Sequence, residues 1–173
     1  MKVAKFGGTS VKDADALGKV LEIVSSEKDK TLIVVSALSG VTNLLTDIIN
    51  SLRNGKAPDK DAIDKLFDRH SDLAENLSTL SEVKEFLDDK KHEFEQLIYA
   101  LDTLGETSPK SMDMILSFGE LLSSNLIYHY LKKNGLKIAY LDARKIISTD
   151  TKHTEANIDI EKTQNLEKRY ESD

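Results

Sequence analysis

Residues 3–6 (VAKF) and 32–35 (LIVV) are short, β-branched or apolar runs without regular polar alternation. Runs of this kind mark strands buried on both faces of a parallel sheet. Between them Leu17, Val20, Leu21 and Val24 recur at i, i+3, i+4 and i+7, the stripe of an amphipathic helix. The chain therefore opens as β-α-β, which places it in the α/β class with a mainly parallel sheet.

Beyond the second run, "SALSGVTNLL" carries Ser36, Ser39 and Gly40 into a helix bearing Leu44, Leu45, Ile48, Ile49 and Leu52, with Thr42 or Asn43 as its expected cap. Residues 59–104 change character: apolar positions at helical spacing stand among many charges and predict two antiparallel helices, an inserted hairpin bracketed by the chain's two prolines, Pro58 and Pro109. A further helix is expected over 112–133, stopped by Asn134 and Gly135. After it come a third strand at 137–141, a loop at 149–157 and a polar helix at 158–170.

Several classes of function are disfavoured by composition. With 173 residues, 39% of them hydrophobic, the chain can bury one core. A net charge of -6 disfavours a general affinity for nucleic acid or an anionic membrane. There is no cysteine, hence no disulfide framework or thiolate metal site, and neither a signal peptide nor a membrane span is expected, so the default location is the cytoplasm. His70, His92, His129 and His153 show no H-x-x-x-H or H-E-x-x-H spacing, and no metal site is expected from them.

"KVAKFGGTSV" at residues 2–11 admits two readings. It is either a plain tight turn, or a phosphate site in which Gly7 and Gly8 admit backbone N–H groups to an anion while Lys5 adds a point charge. It is not a P-loop, whose lysine follows its glycines. A lysine inside a buried strand is costly without a partner or a task, which favours the second reading.

"SFGELL" at 117–122 offers a similar choice. Ser117 and Glu120 have the spacing of a capping box at a helix start. Alternatively Glu120 reads a substrate ammonium, with Gly119 allowing close approach. Thr42 is likewise either an N-cap or a hydroxyl donor to a substrate carboxylate.

Taken together, "KFGGTSV" (5–11), "VVSALSGVTNLL" (34–45) and "LSFGELLS" (116–123), in this order around a helical segment, resemble the aspartate kinases of the amino acid kinase family. "YLDAR" (140–144) and "ISTD" (147–150) resemble that family's next strand and loop. The resemblance implies a three-layer α/β/α sandwich, of which residues 1–173 form the amino-terminal, substrate-binding part with a helical insert at about 57–110. It implies phosphoryl transfer from ATP, with Mg²⁺, to the side-chain carboxylate of L-aspartate, giving 4-phospho-L-aspartate at the entry to lysine, threonine and methionine synthesis.

By the same resemblance Lys5 is catalytic, Lys5, Gly7, Gly8 and Ser10 form the phosphate site, Thr42 and Glu120 contact aspartate, and Ser36 lines the same cleft. A homodimer is implied, and some members are fused to a homoserine dehydrogenase. Family members continue into a G-R-G-G-S-D motif and a nucleotide-binding half that this sequence lacks, and none of Arg53, Arg69, Arg144 and Arg169 lies in the three loops. The chain is therefore expected to be a fragment inactive by itself. The alternatives are a related amino acid kinase, or a non-catalytic module that binds an amino acid or a partner.

Overall fold

The computed structural model describes residues 2–56, 58 and 60–170. Ala57 and Asp59, at the start of the expected insert, and the last three residues of the tail lie outside the described residues.

Two strands, β1 (Lys2–Phe6) and β2 (Thr31–Val35), pair in parallel with Lys2 opposite Thr31 and Phe6 opposite Val35. Helix α1 (Ala14–Ser26) makes the crossover between them. It starts on Asp13, whose carboxylate accepts the Ala16 N–H at 2.8 Å, and it buries Leu17 and Val20.

The strands are not buried on both faces as their composition predicts. Ala4, Phe6, Ile33 and Val35 turn into the helical core, whereas Val3, Lys5, Leu32 and Val34 are exposed, Val3 by 65%. Helices cover one face only among the described residues. Apolar composition on the other face is thus a property of the strands that no described neighbour satisfies.

Helix α2 (Val41–Arg53) buries Val41, Leu45, Ile48, Ile49 and Leu52 along one stripe. Its cap is neither Thr42 nor Asn43 but Gly40, held at φ 85°, a left-handed conformation that costs a side chain about 1–2 kcal/mol. The turn closes when the Val41 N–H donates to the Leu38 carbonyl at 3.0 Å, so the helix begins before Thr42 is reached.

Helices α3 (Lys60–Asn76) and α4 (Leu80–Leu104) fold back on each other across a three-residue turn, as the charge-rich stretch predicts. Their apolar stripes face α5 (Pro109–Lys133), which starts with Ser108 as cap and proline in its first turn. A chain of edge-to-face rings runs through all three helices: Phe67 lies 5.9 Å from Phe94, and Phe94 lies 4.8 Å from Phe118. Ile115, Leu122, Leu126 and Leu131 extend that core along α5.

The third strand expected at 137–141 does not form. A strand exists only against a hydrogen-bonded neighbour, and β1 and β2 pair with each other alone among the described residues. The segment is instead held to α5 by side chains: Leu136 and Ile138 pack on the core, and the Tyr140 hydroxyl lies 3.2 Å from Ser124 Oγ. The 149–157 loop is closed by a bridge between Thr149 and Ile158 and leads into α6 (Ile160–Tyr170). No helix among the described residues is long and apolar enough to cross a membrane.

Candidate active site

Parallel pairing brings the carboxyl ends of β1 and β2 to the same edge, so the loops that follow them emerge side by side. The ladder continues one step past the strands, where the Ser36 N–H donates to the Phe6 carbonyl at 3.1 Å. Beyond Phe6 the chain turns through a short 3-10 segment, Gly8–Val11, in which the Ser10 N–H donates to the Gly7 carbonyl at 2.8 Å and Val11 is fully buried.

The two glycines have different reasons to be there. A Cβ at Gly8 would stand 3.3 Å from the Ala37 carbonyl oxygen and 3.8 Å from Ser39, so a side chain there would press the two loops apart by a few tenths of an ångström. At Gly7 the backbone is extended and a Cβ would meet nothing within 4 Å, which leaves open space beside the turn.

Lys5 projects from the exposed face of β1, opposite Val34, and its ammonium has no hydrogen-bond or ion-pair partner among the described residues. Lys5 is therefore not the buried lysine that the strand's composition predicts: the cation is solvated and has no partner among the described residues.

"SFGELL" is not a helix start. It lies in the middle of the 25-residue α5, where the Ser117 hydroxyl donates to the Met114 carbonyl instead of capping a terminus. This removes the capping-box reading. Gly119 is buried against the β2–α2 connection, where a Cβ would come within 3.0 Å of Ala37 Cβ, 3.3 Å of Leu45 and 3.4 Å of Val41. One residue on, Glu120 is exposed and its Oε1 accepts the Ala37 N–H at 3.3 Å. Its other oxygen takes no partner among the described residues. Gly119→Val is accordingly expected to destabilise the fold by about 1–3 kcal/mol through overpacking, read as a lower denaturation midpoint.

The structure thus brings Gly8, Ser36 and Glu120 together around Ala37. Thr42, in the first turn of α2, has an exposed hydroxyl without a partner, so its capping role is also removed. Ser10 lines an open cleft of about 460 Å³ between the glycine turn and α1, with Lys12 and Lys19 balanced by Asp13 and Asp15 around it. No hydrogen bond or ion pair joins Lys5, Ser10 or Thr42 to Glu120 among the described residues. Arg144 is engaged elsewhere: it forks onto Asp142 at 2.8–3.2 Å and holds that carboxyl below its usual range.

Sequence reasoning assigned no role to Ser123. Its hydroxyl, fully buried, donates to the Ser36 carbonyl at 2.8 Å. The available signal was its place three residues after Glu120, on the same side of the helix.

The chain is 32% identical over 163 residues to lysine-sensitive aspartokinase 3 of Escherichia coli, covering 91% of this chain and 34% of that protein. It is 32% identical over 158 residues to an aspartokinase of Chlamydia muridarum, covering 91% of this chain and 33% of the relative. The crystal structure of E. coli aspartokinase III in complex with aspartate and ADP superposes with a TM-score of 0.86 at 28% identity, over 98% of this chain and 37% of that one.

The chain thus spans about a third of the length of the curated relatives it matches. The amino acid kinase family matches it over residues 1–173. With its small parallel sheet, its helical body and this match along its whole length, the chain belongs to the amino acid kinase family.

Proposed function

We propose that the chain is the substrate-binding part of an aspartate kinase, which transfers the terminal phosphoryl group of ATP to the side-chain carboxylate of L-aspartate. One observation carries the reading: two loops and the middle of α5, far apart in sequence, meet around Ala37 at one sheet edge, where Glu120 presents an unpartnered carboxylate oxygen and Gly8 packs on the same residue, while β1 carries the free cation of Lys5 two residues before the glycine turn. The E. coli structure in complex with aspartate and ADP supports it by likeness. In the parent enzyme the sheet belongs to a three-layer α/β/α sandwich, α3 and α4 are an insert within it, and the whole is a homodimer.

The chemistry suits these residues. Aspartate's side chain, with a reference pKa of about 3.9, is already ionised at neutral pH, so the nucleophile needs no general base. The barrier lies in bringing a carboxylate up to a polyanion, and positioned positive charge relieves it.

Lys5 supplies such charge at the strand's end, most strongly as charge develops on the transferring group. Gly7 leaves room for phosphate oxygens beside the turn, Gly8 holds the turn under the Ala37 loop, and Ser10 lines the adjoining cleft. Glu120 and Thr42 hold the substrate's ammonium and α-carboxylate, which orients the reacting carboxylate, and Ser36 lines that pocket. Mg²⁺, when bound, would add positive charge to the phosphates; among the described residues no cluster of His, Cys, Asp or Glu could hold it.

L-Aspartate titrated into the chain by calorimetry is expected to bind saturably. Glu120→Gln is expected to weaken binding at least about tenfold, since a hydrogen bond to a charged group contributes about 1.5–3 kcal/mol. Binding indifferent to that substitution, or none by a chain whose circular dichroism shows it folded, overturns the assignment of Glu120.

A further inference from the structure

One peptide group in the site is held from both ends by the same helix. The Ser36 carbonyl accepts the Ser123 hydroxyl at 2.8 Å, and the Ala37 N–H of that same peptide donates to Glu120 Oε1 at 3.3 Å. Ser123 and Glu120 are three residues apart on α5, and Gly119 brings the helix close enough for both bonds.

From this we infer that Ser123 is a positioning residue: it aims the Ala37 N–H at Glu120 and so fixes the carboxylate that reads the substrate's ammonium. This rests on the proposed role of Glu120.

A serine inside a helix ordinarily bonds a carbonyl of its own preceding turn, and Ser123 has that option with the Glu120 carbonyl at 3.2 Å. A hydroxyl has only one hydrogen to donate, and the shorter bond goes across to Ser36. Ser123 is fully buried, so deleting its hydroxyl leaves the Ser36 carbonyl without its partner on α5.

A peptide group is planar and rigid, so holding its oxygen fixes the direction of its N–H. Without Ser123 the Ser36–Ala37 peptide loses the bond that fixes its tilt, and the tether on Glu120 loosens. A glutamate side chain then regains rotamer freedom that ligand binding must remove again. With the tether in place one carboxylate oxygen is committed to the loop and the other is left for the ligand.

The test is NMR hydrogen exchange at the Ala37 amide of the full chain, run beside calorimetric titration of L-aspartate into wild type, Ser123→Ala, Glu120→Gln and the double variant. Ser123→Ala is expected to speed Ala37 exchange about tenfold or more while the core amides of α2 and α5 keep their protection. It is expected to weaken aspartate about tenfold, and to add nothing to the loss already caused by Glu120→Gln.

Unchanged Ala37 exchange in Ser123→Ala overturns the inference. So does loss of protection throughout α2 and α5, which makes the residue merely structural, and so does an additive effect on the Glu120→Gln background. If the wild-type chain takes up no aspartate, the aspartate reading of the site falls, and Ala37 exchange alone decides the role of Ser123.

Discussion

Phe94→Ala is expected to lower stability by about 3–5 kcal/mol, measured by urea denaturation, because it deletes a large side chain from a close-packed interior and leaves a cavity. Phe94 is fully buried between Phe67 and Phe118, edge-to-face with both, so truncation removes two ring contacts besides the transferred area. A domain is typically stable by only about 5–15 kcal/mol, so the loss is a large fraction of the whole.

The site should feel it too. Phe118 directly precedes Gly119 and Glu120, and a cavity on its inner side loosens the turn of α5 that touches Ala37. Phe94→Leu keeps most of the volume and should cost clearly less. A loss below about 1 kcal/mol for the alanine variant would show that the ring chain does not hold the helices together.

The second large effect depends on pH. His70 is fully buried on α3, and its Nδ1–H donates to the Leu66 carbonyl at 2.8 Å while Nε2 has no partner among the described residues. Burial in this setting disfavours the imidazolium and pushes the histidine down from 6.5 to about 4, with the neighbouring Arg69 charge acting the same way. Between those two pH values the unfolded chain binds a proton that the folded chain refuses.

Stability is therefore fully present above about pH 6.5 and falls as pH drops toward 4, by about 1.4 kcal/mol per pH unit and about 3 kcal/mol in all. His129, also held low by burial, adds a contribution of the same sign. Denaturation curves at stepped pH should show this slope, and His70→Leu should flatten it, most cleanly above pH 5 where few carboxylates titrate. An equal slope in both proteins would mean that His70 accepts its proton without unfolding the chain.

Much of the architecture could be read from local pattern. The β-α-β opening follows from two apolar runs around an i, i+3, i+4, i+7 stripe, and the α3–α4 pair from helical spacing among charges. These features depend on neighbours in sequence. The errors came where distant neighbours decide.

Residues 137–141 have strand composition, but composition does not provide a pairing partner. Ser117 and Glu120 match a capping box, yet the apolar stripe running on from Met112 already made them helix interior, and that longer-range pattern should have outweighed the four-residue one. Thr42 looked like a cap because the left-handed turn at Gly40 is visible only once the loop has folded.

The candidate site was legible as three separate motifs, not as an arrangement. Which motif touches which depends on contacts across 83 and 87 residues, and no window along the chain contains both partners. Ser123 shows the limit most plainly. A serine in a leucine-rich helix carries no local mark of the carbonyl it will meet.

Those separations also bear on the order of assembly. The β1–α1–β2 unit has only short loops to close, whereas the Ser36–Ala37 peptide waits for a helix more than 80 residues downstream, so its entropy of closure must be met by the packing of α5. The loop that would receive a ligand is therefore expected to be ordered by one of the last contacts to form. On partial unfolding it is expected to be among the first places where order is lost, with aspartate binding failing in mild denaturant while the helical circular dichroism signal survives.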